Sequence, residues 1–437
     1  MRHLLLLAAL ASLAAKAEWK ATQGGELEVG ASRWFKGAVG ADPEQFRPTV
    51  GTRVTGTFRN SSGLRFRLNP LFRADPKSPS KREQWFADPQ EAYLQWQGLP
   101  WTVQLGWNLH AWGDTDVFNP LDVVNQRNFW DPLRSEKLGS PTILVKHDFE
   151  SFFVEGLYVP KQRRSMLPGE KSRWMPQNVY RSRSVGTGFG PGRIVLPSLI
   201  RYQYLDPVEL DSALEHNFGV RFKFRLPGFD WTVAGFDGAA PTPMVNLRQI
   251  TATATSLVPE LTFVVDPDIW LQATWYRSRM AGTSFVWVLG DFLVKGATAV
   301  SKPKGERRDL PPRTWENVLG LERTLYLGDQ SLTALFQATW VDRQDQLDTS
   351  SVSLGRMFDR AFMGGLRWAP TERLSVILSR LRDTRFKGDL THAEASWKLA
   401  DGWNLKLAGD ALSGAAETPL GTYADNDRAL ASVTLKW

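Results

Sequence analysis

The sequence predicts an all-β protein, an antiparallel transmembrane β-barrel of about 18 strands with long extracellular loops. Three observations predict it: a leader-like N-terminus with no later apolar span, a two-residue alternation of apolar and polar side chains, and turn signals recurring at hairpin spacing.

The chain opens on Met1, Arg2 and His3, runs apolar from Leu4 to Ala15, and offers a small-x-small pattern at Ala15, Lys16 and Ala17. That order is a secretory signal peptide over residues 1–17, leaving 18–437 as one barrel domain. The apolar run is too short to cross roughly 30 Å of hydrocarbon, and no later helical segment is long enough. Lipid is then open to the chain only as a closed barrel. Mean hydropathy is −0.30, which fits a barrel because only every second residue of a strand meets lipid. Without the leader the chain carries 51 basic and 46 acidic residues, a mild +5. It has no cysteine, which excludes disulfides, thiolate metal sites and cysteine nucleophiles.

Alternation is clearest at the C-terminus, where Ala429, Ala431, Val433, Leu435 and Trp437 are interleaved with Ser432, Thr434 and Lys436. Ending on an aromatic residue, this strand is similar to the signal by which the outer-membrane assembly machinery recognises its substrates, which makes Trp437 the candidate assembly residue. Leu64, Phe66 and Leu68 alternate with Arg65 and Arg67, and Phe218 to Leu226 alternate with Arg221, Lys223 and Arg225. Both strands put basic residues on the face away from lipid, as pore-lining candidates.

Short turns are expected at Asn60–Gly63, Gly98–Pro100, Asp148–Glu150, Leu226–Phe229, Gly290–Asp291, Gly328–Asp329, Ala369–Thr371 and Ala400–Gly402. Two strands per interval, starting near Glu26, give the even number that single-chain barrels use. The longest connections, near 112–140, 161–214 and 239–270, are assigned to the outer surface. Trp34, Trp85, Trp96, Trp101, Trp231, Trp368, Trp403 and Trp437 lie near strand ends, as interfacial girdles require.

The segment Gly106–Asp122, with its Trp112-Gly113 followed by Asn119-Pro120-Leu121-Asp122, resembles a porin-like outer-membrane family related to alginate-export channels. The resemblance implies a barrel for most of the chain and says little about cargo, and no substrate-contacting residue can be carried over.

Asp114, Asp116, Asn119 and Asp122 could hold calcium, but the spacing lacks a closing glutamate, so the expected role is a folded loop that narrows the barrel. Residues 161–201 are strongly basic, with Arg163, Arg164, Arg173, Arg181 and Arg183 against the single acid Glu170. Folded inward they would favour anions; left outside they would meet lipopolysaccharide phosphates or water. Gly186–Gly192 has no βαβ context and reads as a tight loop. None of His110, His147, His216 and His392 sits in a catalytic motif, the nearest approach being Glu215-His216 near Asp211. The expectation is a non-enzymatic outer-membrane channel for small hydrophilic, anionic solutes, without metal or cofactor. The alternative is an export conduit or the barrel subunit of an envelope complex. Expected partners are outer-membrane lipid and lipopolysaccharide, the assembly machinery and, in the alternative, an envelope-complex protein; nucleic acid is not among them.

Overall fold

The computed structural model describes residues 18–176, 182–187, 190–195, 197, 199–256, 261–305, 310–343, 351–352, 358–415 and 418–437. The signal-peptide segment 1–17 lies outside the described residues.

Eighteen strands form one closed antiparallel sheet. In chain order they are β1 (Trp19–Trp34), β2 (Phe46–Asn60), β3 (Leu64–Ala74), β4 (Trp85–Gly98), β5 (Trp101–Asn108) and β6 (Ser140–Asp148). Next come β7 (Phe152–Lys161), β8 (Glu215–Leu226), β9 (Phe229–Ala239), β10 (Arg277–Leu289), β11 (Phe292–Pro303) and β12 (Thr314–Leu327). The last are β13 (Gln330–Arg343), β14 (Arg360–Thr371), β15 (Leu374–Asp383), β16 (Gly388–Ala400), β17 (Trp403–Ser413) and β18 (Arg428–Lys436). Each strand pairs with its neighbours in the chain. The sheet closes where β18 meets β1, from Glu26 opposite Lys436 to Trp34 opposite Arg428. Closure leaves no unpaired edge, the condition for strands in lipid.

The short connections fall where the turn residues place them, and the long ones all lie at the other end of the barrel. Local chemistry explains this: glycines 63, 228, 290, 328 and 402 take the positive φ that such turns demand.

Burial is inverted relative to a water-soluble protein. Val29, Leu105, Phe218, Leu319, Leu366, Leu378 and Leu407 are among the apolar residues left exposed, while Thr57, Gln104, Thr232, Ser284 and Gln337 on the alternate face are buried. The first face suits hydrocarbon and the second a lumen. Trp231, Trp368, Trp403 and Trp437 stand exposed beside the short turns, and Trp85, Trp315 and Trp340 at the opposite strand ends.

Trp34 departs from the interfacial role expected of it. Leu27 and Val29 hold the outward parity of β1, so Trp34 points inward and is only 4% exposed. The connection at 239–270 also differs from expectation, because most of it is sheet. Met244–Ser256 and Leu261–Trp275 continue β9 and β10 as an antiparallel hairpin above the barrel. Residues 190–195, 201–204 and 208–209 add to Leu261–Trp275 in parallel. The segment is polar enough to read as a loop, but its threonines, valines and isoleucines suit a pleated surface.

Candidate functional site

The lumen is occupied by the connection between β5 and β6, residues 109–139. Gly113 turns the chain at φ +81, a conformation few other residues adopt without strain, and the Asn119 side chain locks the turn by donating to the Trp112 carbonyl at 2.8 Å. Trp112, 1% exposed, inserts against the inner wall. Space for its ring exists because residue 219 on β8 has no side chain: a Cβ there would lie 2.5 Å from Trp112 Cη2. The indole N–H donates to Glu155 at 3.0 Å. Leu121 and Val124 follow it onto a patch of the wall made by Leu157, Val159, Ala234, Phe236, Met280, Ala297 and Val318. The inner face of β7 and β9–β12 is apolar here because the loop covers it.

Polar tethers continue along the wall. Asp114 accepts from Lys223 Nζ at 2.7 Å, Ser284 Oγ at 2.7 Å and Thr232 Oγ1 at 3.0 Å. Burial alone would raise its carboxyl, but these three donors hold it below its ordinary value. Asp116 accepts from Lys295 at 3.0 Å, and Gln337 brackets the next residues by accepting from Val117 N and donating to Phe118 O. Asp122 turns back on its own loop, pairing with Arg127 at 2.6 Å and also with Lys137. At the loop's start His110 is 5% exposed, and burial first, then Arg221 and Lys137, push its pKa down to about 3, so its ring is neutral.

A second segment, 162–176, crosses the outer mouth. It pairs with the first through Phe129 N to Met166 O at 2.7 Å and Met166 N to Arg127 O at 2.9 Å. Arg163 pairs with Asp88 of β4, and Arg82 donates to the carbonyls of Leu167 and Pro168. Arg173 is fully buried against Asp42 at 3.0 Å, stacked over Trp34 with Arg47 over the same ring. Trp174 ends the crossing among Leu412, Leu420 and Tyr423 on the far side. Among the described residues a cavity of about 430 Å³ lies beside Val117, Phe118 and the walls of β9–β13. Another, of about 340 Å³, lies against β1–β4 and β17–β18 and mixes Arg47, Arg73, Arg134, Lys406 and Arg428 with Glu28, Asp75, Glu83, Asp131 and Glu136.

The basic wall residues all have inward parity, but most are partnered. Arg67 pairs with Glu91 at 2.9 Å, Arg221 with Glu155 at 2.8 Å, and Lys223 with Asp114 and Asp230. Arg225 lies over the Phe153 ring at 4.9 Å, and Arg65 has no carboxylate among the described residues. Of the basic connection, Arg164 lies over Trp275 at 5.4 Å, while Arg181 and the side chain of Arg183 lie outside the described residues. Gly186 and Gly192 sit on paired hairpin strands, with Gly188 and Phe189 outside the described residues. Asp114, Asp116 and Asp122 point at different cations rather than at one shared point. His216 meets the Tyr158 hydroxyl at 2.6 Å and His392 meets Asp410 at 2.7 Å.

Lys20 and Arg59 escaped the sequence reading. The strand register places Lys20 opposite Arg59 and Arg59 opposite Arg65, a row of three cations over adjacent strands near the short-turn end of the lumen. Arg59, Arg65 and Arg67 all act electrostatically on the Tyr93 hydroxyl. The available signal was parity, since Arg59 alternates with Val54 and Phe58, which face outward on the same strand.

Among solved structures the chain is similar to OccK11 (OpdR) of Pseudomonas aeruginosa, at TM-score 0.49 and 8% identity over 95% of each chain. It is also similar to Salmonella typhi OmpF, at TM-score 0.46 and 8% identity over 96% of this chain and 98% of that one. A porin of Rh. blastica matches at TM-score 0.42 and 11% identity over 96% and 100%. No sequence family and no curated protein matches, and a relation to alginate-export channels is not shown. What decides the architecture is the chain's own closed ladder and its apolar outer belt. The chain is an outer-membrane β-barrel.

Proposed function

We propose that this barrel is a passive channel for small hydrophilic solutes, with anions favoured, and that residues 109–139 form its constriction. The observation that carries the reading is the anchoring of that loop inside the lumen, where Asp114, Asp116 and Val117 N are held by Lys223, Thr232, Ser284, Lys295 and Gln337 on five strands of the wall. An inward loop tied to the wall narrows a wide barrel without sealing it by default.

Anion preference draws on the Lys20, Arg59 and Arg65 row. Like charges directly opposite on a sheet oppose folding by about 0.2–1 kcal/mol a pair, so an anion passing between them relieves a cost already built in. The 340 Å³ cavity carries acids and bases together and sets no sign by itself. The test is swelling of protein-bearing liposomes in isotonic solutes of equal size. The reading expects the order anionic, then neutral, then cationic; equal rates, or cations fastest, would reject the preference.

One observation favours an export or envelope-complex role as a second reading: segment 162–176 bridges the mouth and buries Arg173 completely. A mouth so closed suits a barrel opened by a partner. Absence of swelling with every solute, together with co-purification of an envelope protein, would favour it.

A further inference from the structure

The outer wall carries a cluster of arginines where lipid belongs. Arg360 on β14 shares the outward parity of Phe362, Leu366 and Trp368, and Arg380 and Arg382 on β15 share that of Leu378. Arg380 and Arg382 are 63% and 48% exposed, and across the pair Phe362 lies opposite Arg382. One carboxylate serves them: Asp389 of β16, at 3.0 Å from Arg380 and 3.8 Å from Arg382. No carboxylate among the described residues pairs with Arg360. Counting also Asp342, which shares the outward parity of Trp340 beside Arg360, the patch keeps an excess of one positive charge on the lipid side of the barrel.

Cationic side chains on a lipid-facing strand are costly at mid-depth and tolerated only near the headgroups. The wall is low at this point. β15 has 10 residues where β12 and β13 each have 14, and a short turn over 384–387 joins it to β16. The rim thus dips into the outer headgroup layer, and the arginines lie at the level where that leaflet presents its charge. Phe362 stands level with Arg382, and directly beneath the three arginines Leu366 and Leu378 offer exposed apolar surface. Guanidinium forks above, and apolar side chains below, match a phosphorylated glycolipid whose phosphates lie over its acyl chains.

We propose that Arg360, Arg380 and Arg382 form a binding site for the phosphates of lipid A in the outer leaflet. The site lies on the outside of the barrel and is independent of what passes through the lumen.

The full-length protein, purified in detergent, is titrated with bisphosphorylated lipid A, with its dephosphorylated form and with phosphatidylglycerol. Lipid bound per chain is read by native mass spectrometry. The expected result is retention of bisphosphorylated lipid A at least tenfold above the other two. In the triple variant Arg360→Ser, Arg380→Ser, Arg382→Ser retention falls at least tenfold, while channel conductance in a planar bilayer keeps its wild-type value. Equal retention of phosphatidylglycerol, or undiminished lipid A on the variant, would overturn the site. Should the variant fail to fold, the wild-type comparison decides: equal binding of phosphorylated and dephosphorylated lipid A refutes the proposal.

Discussion

Lys223 and Asp114 are 109 residues apart in the chain and 2.7 Å apart in the lumen, and their contact shows what holds the inward loop. Replacing Asp114 with Asn removes the charge from three hydrogen bonds and costs about 2 kcal/mol of anchoring, roughly 30-fold in the ratio of seated to released loop. Single-channel recording is expected to show larger and noisier openings for Asp114→Asn than for wild type. Gly219→Leu reaches the same end by displacing the Trp112 ring, at a cost of about 1–3 kcal/mol. His110 adds a pH dependence. Its ring titrates at about 3 when packed and near the ordinary 6.5 when released, so the released loop takes up a proton that the packed one refuses. Seating therefore weakens as pH falls below about 6.5 and continues to weaken towards 3, by about 2 kcal/mol at pH 5. Asp114 acts later in the same direction, its contribution being full above about pH 4 and lost below it. Channel noise recorded from pH 7 to 5 should rise in wild type and stay flatter in His110→Gln. At this scale the acids of the loop were legible as a cluster, but their partners were not. The donors come from residues 109 to 179 positions away, which only the closed sheet brings near.

Strands were the most legible part of the molecule. Alternation and turn chemistry are local, so the short turns and the parity of β3, β8 and β18 could be read from neighbouring residues. Trp34 was misplaced for a physical reason: nearness to a strand end suits an interfacial ring, but parity decides which side it faces. The 244–275 hairpin was hidden because a sheet standing in water lacks the apolar face that marks a strand in lipid. The closing strand carries its own prediction. Trp437 exchanges backbone hydrogen bonds of 3.1 Å with Gly25 and leaves its ring exposed beside the first strand. Trp437→Ala is expected to lower the amount of heat-modifiable, folded barrel in outer-membrane fractions several-fold while leaving total synthesis unchanged. Equal folded amounts would remove any assembly role for that ring.

Across the whole molecule, composition and charge disclosed the environment before the purpose. An apolar belt outside and polar residues inside follow from the two-residue period, and they need only a closed ladder to become a barrel in a membrane. Selectivity depends on which charges remain uncompensated after folding, and pairing changed that tally: Arg67, Arg221 and Lys223 have acidic partners, whereas Lys20, Arg59 and Arg65 stand opposite one another. In the function proposed for it, the loop-narrowed lumen passes anions past this row. The most direct measurement is the reversal potential of the purified protein in a planar bilayer separating unequal concentrations of potassium chloride. Discrete conductance is expected, with a reversal potential displaced towards that of chloride in the wild type and towards that of potassium when Arg59 and Arg65 are both replaced by Glu. Potassium preference in the wild type, or no conductance at all, would contradict it.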